Sequence, residues 1–246
     1  MKDQTAIPFS IHYFLACLFF LLAAGIAGGQ SDPAPDVFGE VSMRAHVGTG
    51  NNVLISGFMI TGETPMRVLV RALAGSLGVR EPLADPTLEL YDGNGVLIIA
   101  NNNWRDAQEA DIQATGHAPG SDFESAALVT LAPTAYTLVV RGANNTTGVG
   151  MSDIIDEDST TTSRLQNISS RAFVEPANRV MVGGFTISGT FPHKVMIRGL
   201  GPSLAANGIA DALSNPTLLL RDTAGNPLVS TTIGKIPRRL KSRPAV

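Results

Sequence analysis

With 246 residues and a formal net charge of −3, the chain is long enough for one large or two modest domains. Residues 28–230 hold 12 Lys and Arg against 20 Asp and Glu, a net of −8, which excludes nucleic-acid binding through a basic stripe. Cys17 is the only cysteine and 6% of residues are aromatic, so the chain beyond it has no disulfide or thiolate metal site and must build its core from Val, Ile, Leu and Ala.

Residues 14–26 (FLACLFFLLAAGI) form an uninterrupted apolar run of 13, shorter than the roughly 20 residues a spanning helix needs. Gly25-Ile26-Ala27 supplies small residues at the −3 and −1 positions of a signal-peptidase site. Residues 1–27 are therefore expected to be a cleaved secretory signal peptide, leaving no transmembrane segment in the mature chain. Residues 28–37 follow as a polar, proline-bearing linker. Beyond it come short β-branched runs at 53–60, 67–73, 87–91, 96–100 and 136–141, each bounded by Gly, Pro, Asn or Asp. That is strand-and-turn chemistry. Asp92-Gly-Asn-Gly95 predicts a hairpin between its flanking strands, because Gly tolerates the positive φ the turn needs. Helix-period stripes are nearly absent, with room for one short turn each at 77–83 and 204–213. The whole pattern predicts an all-β, β-sandwich-like module.

The module is duplicated. Residues 44–77 and 171–204, shifted by 127, are identical at 15 of 34 positions, including Gly57/Gly184, Phe58/Phe185, Gly62/Gly189, Arg71/Arg198 and Ser76/Ser203. After a three-residue length difference the match resumes with Asp85-Pro-Thr-Leu and Asn215-Pro-Thr-Leu, then Asp92…Gly95 and Asp222…Gly225. Nothing after about Ser230 matches the second half of the first copy. The expected division is a complete repeat at 38–160, a truncated second repeat at 164–230, and a basic, non-repeat tail at 231–246 carrying Lys235, Arg238, Arg239, Lys241 and Arg243.

Asn167-Ile-Ser169, Gly184-Phe185, Arg198…Gly201-Pro202-Ser203-Leu204, Asp85-Pro-Thr-Leu88, Asn101…Trp104, Ala114-Thr-Gly116, Glu124-Ser-Ala126 and Gly148-Val-Gly150 together carry a resemblance. Over about 38–230 the chain resembles tandem units of the pattern RLxNIS…GFxIxG…RAxGPSL…DPxLxLYD…NxNW found in large secreted proteins of environmental bacteria, a repeat without an assigned function. The resemblance implies a secreted β-rich repeat and lends no catalytic residues. The first copy departs from it with Glu40-Val-Ser42 for Asn-Ile-Ser and Ala74-Gly75 for Gly-Pro.

Four groups of residues are candidates for chemistry. Arg71 and Arg198 sit inside apolar strands and need partners, since a buried unpaired charge is very costly; Asp92 and Asp222 are the candidates for structural ion pairs with them. Trp104, with Asn101 and Asn103, makes either a sugar-stacking platform or a plug for the end of the sandwich. Asp153, Asp156 and Asp158 fall on the acidic stretch between the copies, either a structural calcium site or a solvated linker. His46, His117 and His193 lack metal-ligand spacing, and a hydrolase would need His117 beside Asp122 or Glu124 in a cleft. The expected function is a secreted, non-catalytic structural or adhesion module on the cell surface or in the exported matrix. It would have no cofactor beyond structural calcium, and its partner would be a surface or matrix polysaccharide or protein. A carbohydrate-binding module using Trp104 is the alternative, and a secreted hydrolase the next.

Overall fold

A computed structural model describes residues 37–158, 160–176, 179–188 and 194–232. The expected signal peptide, the linker up to residue 36, His193 and the tail from residue 233 lie outside the described residues. The described residues fall into two compact units, 37–188 and 194–232. The chain is all-β: the described residues form twelve strands and two short α-helices, and no helix among them is long and apolar enough to cross a membrane.

In the larger unit the strands are β1 (Val37–Val47), β2 (Leu54–Thr61), β3 (Met66–Leu73), β4 (Pro86–Asp92), β5 (Leu97–Asn101), β6 (Ser125–Leu131), β7 (Ala135–Gly142), β8 (Gly148–Asp156), β9 (Arg164–Arg171) and β10 (Val182–Ser188). All pair antiparallel, in the order β5-β4-β7-β2-β9-β1-β8-β3-β6, with β10 added on β1. The link between β9 and β1 is a single bridge, Phe38 to Leu165. The ladder is therefore two five-stranded halves, β5-β4-β7-β2-β9 and β10-β1-β8-β3-β6, joined at one point and facing each other as in a sandwich. At the other end β5 and β6 approach closely enough for the Ala126 N–H to donate to Asn101 Oδ1 at 3.2 Å, so the body nearly closes as a barrel.

Alternation builds the core. In β3, Val68, Val70 and Ala72 point inward while Leu69 and Arg71 point outward; in β4, Leu88 and Leu90 point inward between Thr87, Glu89 and Tyr91. These inward residues meet Leu54, Phe58, Ile60, Tyr136, Leu138, Val140 and Ile154 in one buried cluster between the halves. A serine group spans it: the buried Ser56 hydroxyl lies 2.6 Å from that of buried Ser152 and 3.0 Å from that of half-buried Ser170, tying β2, β8 and β9.

Five of these strands fall where the sequence places them. Of residues 153–158, expected on a linker, 153–156 instead end β8, which runs between β1 and β3. The reason is that Asp153 is neutralised from β3, as described below, so one acid does not interrupt the run Met151–Ile155.

β9 and β10 come from the segment assigned to the second copy, yet they pair with β2 and β1. Shifted by 127, β9 is the counterpart of β1 and β10 the counterpart of β2. The two copies exchange strands reciprocally. Arg44 faces Val182 and Ile55 faces Arg171; Met43 faces Gly183 and Ser56 faces Ser170; Ser42 faces Gly184 and Gly57 faces Ser169; Phe38 faces Ile187 and Ile60 faces Leu165. Each of these is the 127-residue image of its mate. Each ladder also holds one extra residue on the β1-type strand, a β-bulge at Gly39 in β1 and between Gln166 and Ser169 in β9. In β9 the bulge contains Asn167 at φ +49°, a left-handed conformation that Asn tolerates better than most residues.

The smaller unit carries a one-turn helix (Pro202–Ala205) and a hairpin of β11 (Thr217–Arg221) and β12 (Pro227–Thr232). Shifted by 130, the pairs Leu88–Asn101, Glu89–Ala100, Leu90–Ile99 and Tyr91–Leu97 become Leu218–Thr231, Leu219–Ser230, Leu220–Val229 and Arg221–Pro227, the register found. Both hairpins turn as expected. Asp92 Oδ1 accepts the N–H groups of Asn94 and Val96, and Asp222 Oδ1 accepts that of Asn226, with Gly95 and Gly225 at φ +79° and +82°.

Candidate functional site

The chemistry-bearing residues gather around the excursion between β5 and β6, residues 102–124, which covers the outer face of β3, β8 and β6. A six-residue helix, α1 (Glu109–Ala114), lays Ile112 into a second buried cluster with Leu69, Trp104, Ala126, Leu128 and Ile155. Gln108 fastens the excursion to the edge strand. Its side-chain amide donates to the Leu128 carbonyl at 2.9 Å and accepts the Leu128 N–H at 3.0 Å.

Trp104 is 2% exposed. Its backbone N–H donates to the Glu124 carbonyl, its indole N–H donates to the Ser121 carbonyl at 3.1 Å, and the Arg105 guanidinium lies 4.2 Å from the ring centroid. Arg105 is held in turn by Asp122 at 2.6 Å and by Glu109. Asn101 donates to the Asn103 carbonyl at 2.9 Å and accepts from Ala126. The set Asn101, Asn103 and Trp104 therefore plugs the sandwich rather than offering a stacking face, because the ring is covered from both the core and the arginine side.

Glu124 has a larger role than the sequence suggests. It is 1% exposed, and its Oε1 accepts the N–H groups of Ala74 at 2.7 Å and Ser76 at 3.0 Å and the Ser76 hydroxyl at 2.7 Å, while Oε2 accepts the Ser121 N–H at 3.2 Å. One buried carboxylate thus organises the turn after β3. The neighbouring Ser125 hydroxyl donates to the Pro86 carbonyl at 2.8 Å and fixes the start of β4. The signal available in sequence was the recurring Ser of Ala-Gly-Ser-Leu and Gly-Pro-Ser-Leu, which requires a partner for its hydroxyl and the turn's free N–H groups.

Arg71 does find an acid, but Asp153 rather than Asp92. Its Nε donates to Asp153 Oδ2 at 2.8 Å, a second guanidinium nitrogen contacts the same oxygen, and the third donates to the His117 carbonyl at 2.6 Å. Asp92 is occupied by its own turn, and the β3–β8 register places Arg71 directly opposite Asp153. Asp153 is fully buried. Burial pushes its carboxyl above the ordinary carboxylate value; Arg71 opposes that shift and the nearby Glu40 adds to it. In the second copy, Asp222 is satisfied by Asn226 and Arg198 is exposed, with no ion pair between them among the described residues.

Nor do Asp153, Asp156 and Asp158 converge. Residues 153 and 156 are three apart in a strand and so project from opposite faces. Asp156 accepts the Asp158 N–H at 2.9 Å, and Asp158 accepts the Thr160 N–H and hydroxyl. Among the described residues no group of three or more His, Cys, Asp and Glu is placed to hold a metal ion. His117 Nδ1 pairs with Glu157 Oε1 at 2.7 Å, while Glu157 donates its N–H to the Arg67 carbonyl at 3.0 Å. Glu124 is committed to its turn and Asp122 to Arg105, and His117 makes no hydrogen bond to either among the described residues.

No protein-family description matches the chain, and no curated protein is similar to it.

Proposed function

We propose that the chain is a secreted, non-catalytic structural or adhesion module of the cell surface or exported matrix. It works without a cofactor and holds a polysaccharide or protein partner. One observation supports this reading above the others. The polar motif residues of the complete copy are turned on the protein itself: Arg71 on Asp153 and His117, Asp92 on its turn, Glu124 on three N–H groups and a hydroxyl, Ser125 on Pro86. A catalyst needs an acid, base or nucleophile within hydrogen-bond reach of a substrate. Residues that close turns and pin strands define a scaffold.

The test is cell fractionation together with a panel of ester, glycoside and peptide substrates. The protein should be recovered with the surface or matrix fraction and turn over none of the substrates. A hydrolysis that disappears in His117→Ala while the fold persists would overturn the reading in favour of an enzyme. Titration with soluble polysaccharides should leave Trp104 emission unchanged, because the ring is already buried; a spectral shift would restore the sugar-stacking alternative.

A further inference from the structure

We infer that the outer edge of β10 is a docking site for one added β-strand of the β7 type, contributed antiparallel by another polypeptide. The chain contains its own comparison. In the first copy β2 is flanked by β9 on one edge and β7 on the other. Its counterpart β10 is flanked by β1 on the first edge, in the matching register, and among the described residues nothing pairs with the second. An unpaired strand edge presents a row of N–H and C=O groups ready for another strand.

The side chains tell the same story. Leu54, Phe58 and Ile60 are 0%, 2% and 1% exposed, whereas their counterparts Met181, Phe185 and Ile187 are 37%, 38% and 38% exposed. What buries the first set includes Tyr136, Leu138 and Val140 of β7, in the same cluster. Phe58 stacks on Tyr136 with ring centroids 5.5 Å apart, and Phe185 keeps the phenyl group that would receive such a ring. The occupant is thereby specified in chemistry and register: an aromatic residue opposite Phe185, then apolar residues at alternate positions, with Met181 opposite the residue equivalent to Val140. The chain's own β7 cannot fill the place, since β2 and β4 already occupy its two edges. Strand addition of this kind draws affinity from main-chain hydrogen bonds and specificity from the pockets for alternate side chains.

The probe is a fluorescent peptide of residues 133–143 (PTAYTLVVRGA), titrated into the purified full-length chain and read by anisotropy, with hydrogen exchange followed at 182–187. Saturable one-to-one binding that slows exchange at 182–187 is expected. Phe185→Ala in the protein should weaken it at least tenfold, and Tyr136→Asp with Leu138→Asp in the peptide should abolish it. The peptide variants keep the test decisive if Phe185→Ala loosens β10 from β1, where Phe185 also meets Phe38 edge-on at 5.8 Å. Absence of saturation, binding that leaves exchange at 182–187 unchanged, or equal binding of the charged peptide would overturn the inference. So would protection of 182–187 that rises with protein concentration alone, which would make the occupant a second copy of this chain.

Discussion

Glu124 and Asn167 show how much a single side chain decides here. Glu124→Ala would leave three N–H groups and a hydroxyl without their acceptor, the Ala74 N–H among them buried. An unsatisfied buried group costs about 1–3 kcal/mol, so thermal unfolding of this variant should shift down by several degrees, with Glu124→Gln recovering part of the loss through its remaining oxygen. Asn167 is the residue the bulge in β9 requires at φ +49°. Asn167→Val should destabilise by roughly 1–2 kcal/mol, the usual cost of a left-handed conformation, while Asn167→Gly should be close to neutral; chemical denaturation separates the two. Asp153 sets a pH dependence. Its carboxyl titrates above 3.8 in the folded state, so the folded protein holds this proton more tightly than the unfolded chain does. That contribution to stability is complete below 3.8 and is lost as pH rises through the folded value. The stability of wild type minus that of Asp153→Asn should therefore fall with rising pH just above 3.8; a difference that rises there would show that Arg71 outweighs burial. That Arg71 needs an acid was legible from its apolar neighbours. Which acid was not, because Asp153 lies 82 residues away in a stretch whose four acids read as solvated linker.

At the scale of elements, what was legible followed period and punctuation. β2, β3, β4, β5 and β7 carry dense β-branched runs between turn residues, and both Asp…Gly turns carry their own capping side chain. β1, β8 and β9 are strands whose sequences mix Ser, Arg, Asp and Gly with apolar residues, so their assignment depends on neighbours contributed from far along the chain. The turn after β2 illustrates the same dependence. A Cβ on Gly62 would lie 2.4 Å from Ser163 Oγ and 2.6 Å from Ser163 Cα, at φ +127°. Gly recurs at 189, so the need for it was visible; the obstacle, a residue a hundred positions on, was not. Gly62→Ala must move backbone as well as adopt a strained φ, and should destabilise by more than about 1 kcal/mol, with amides of β2 and β9 losing exchange protection before those of β4.

For the whole molecule, the reciprocal exchange of β1 and β2 between copies determines what can stand alone. A chain cut at 160 keeps β1 to β8 but loses β9 from β2 and β10 from β1, baring the edges of β2 and β1 and removing Leu165 from the core. Limited proteolysis followed by intact-mass measurement should therefore leave a resistant body that retains residues 164–188. The first cuts should fall in 194–232, where Val195, Met196, Ile197 and Leu200 are 38%, 84%, 41% and 38% exposed while their counterparts Val68, Leu69, Val70 and Leu73 are at most 5% exposed. A stable monomeric fragment ending near 160 would show that one copy closes on its own strands and that the exchange adds nothing to stability. If residues 37–160 instead assemble as a dimer, the geometry provides a reason. The bared edges of β1 and β2 are the two that already pair with each other's counterparts, so two such fragments can repeat across a two-fold axis the exchange that the intact chain makes within itself.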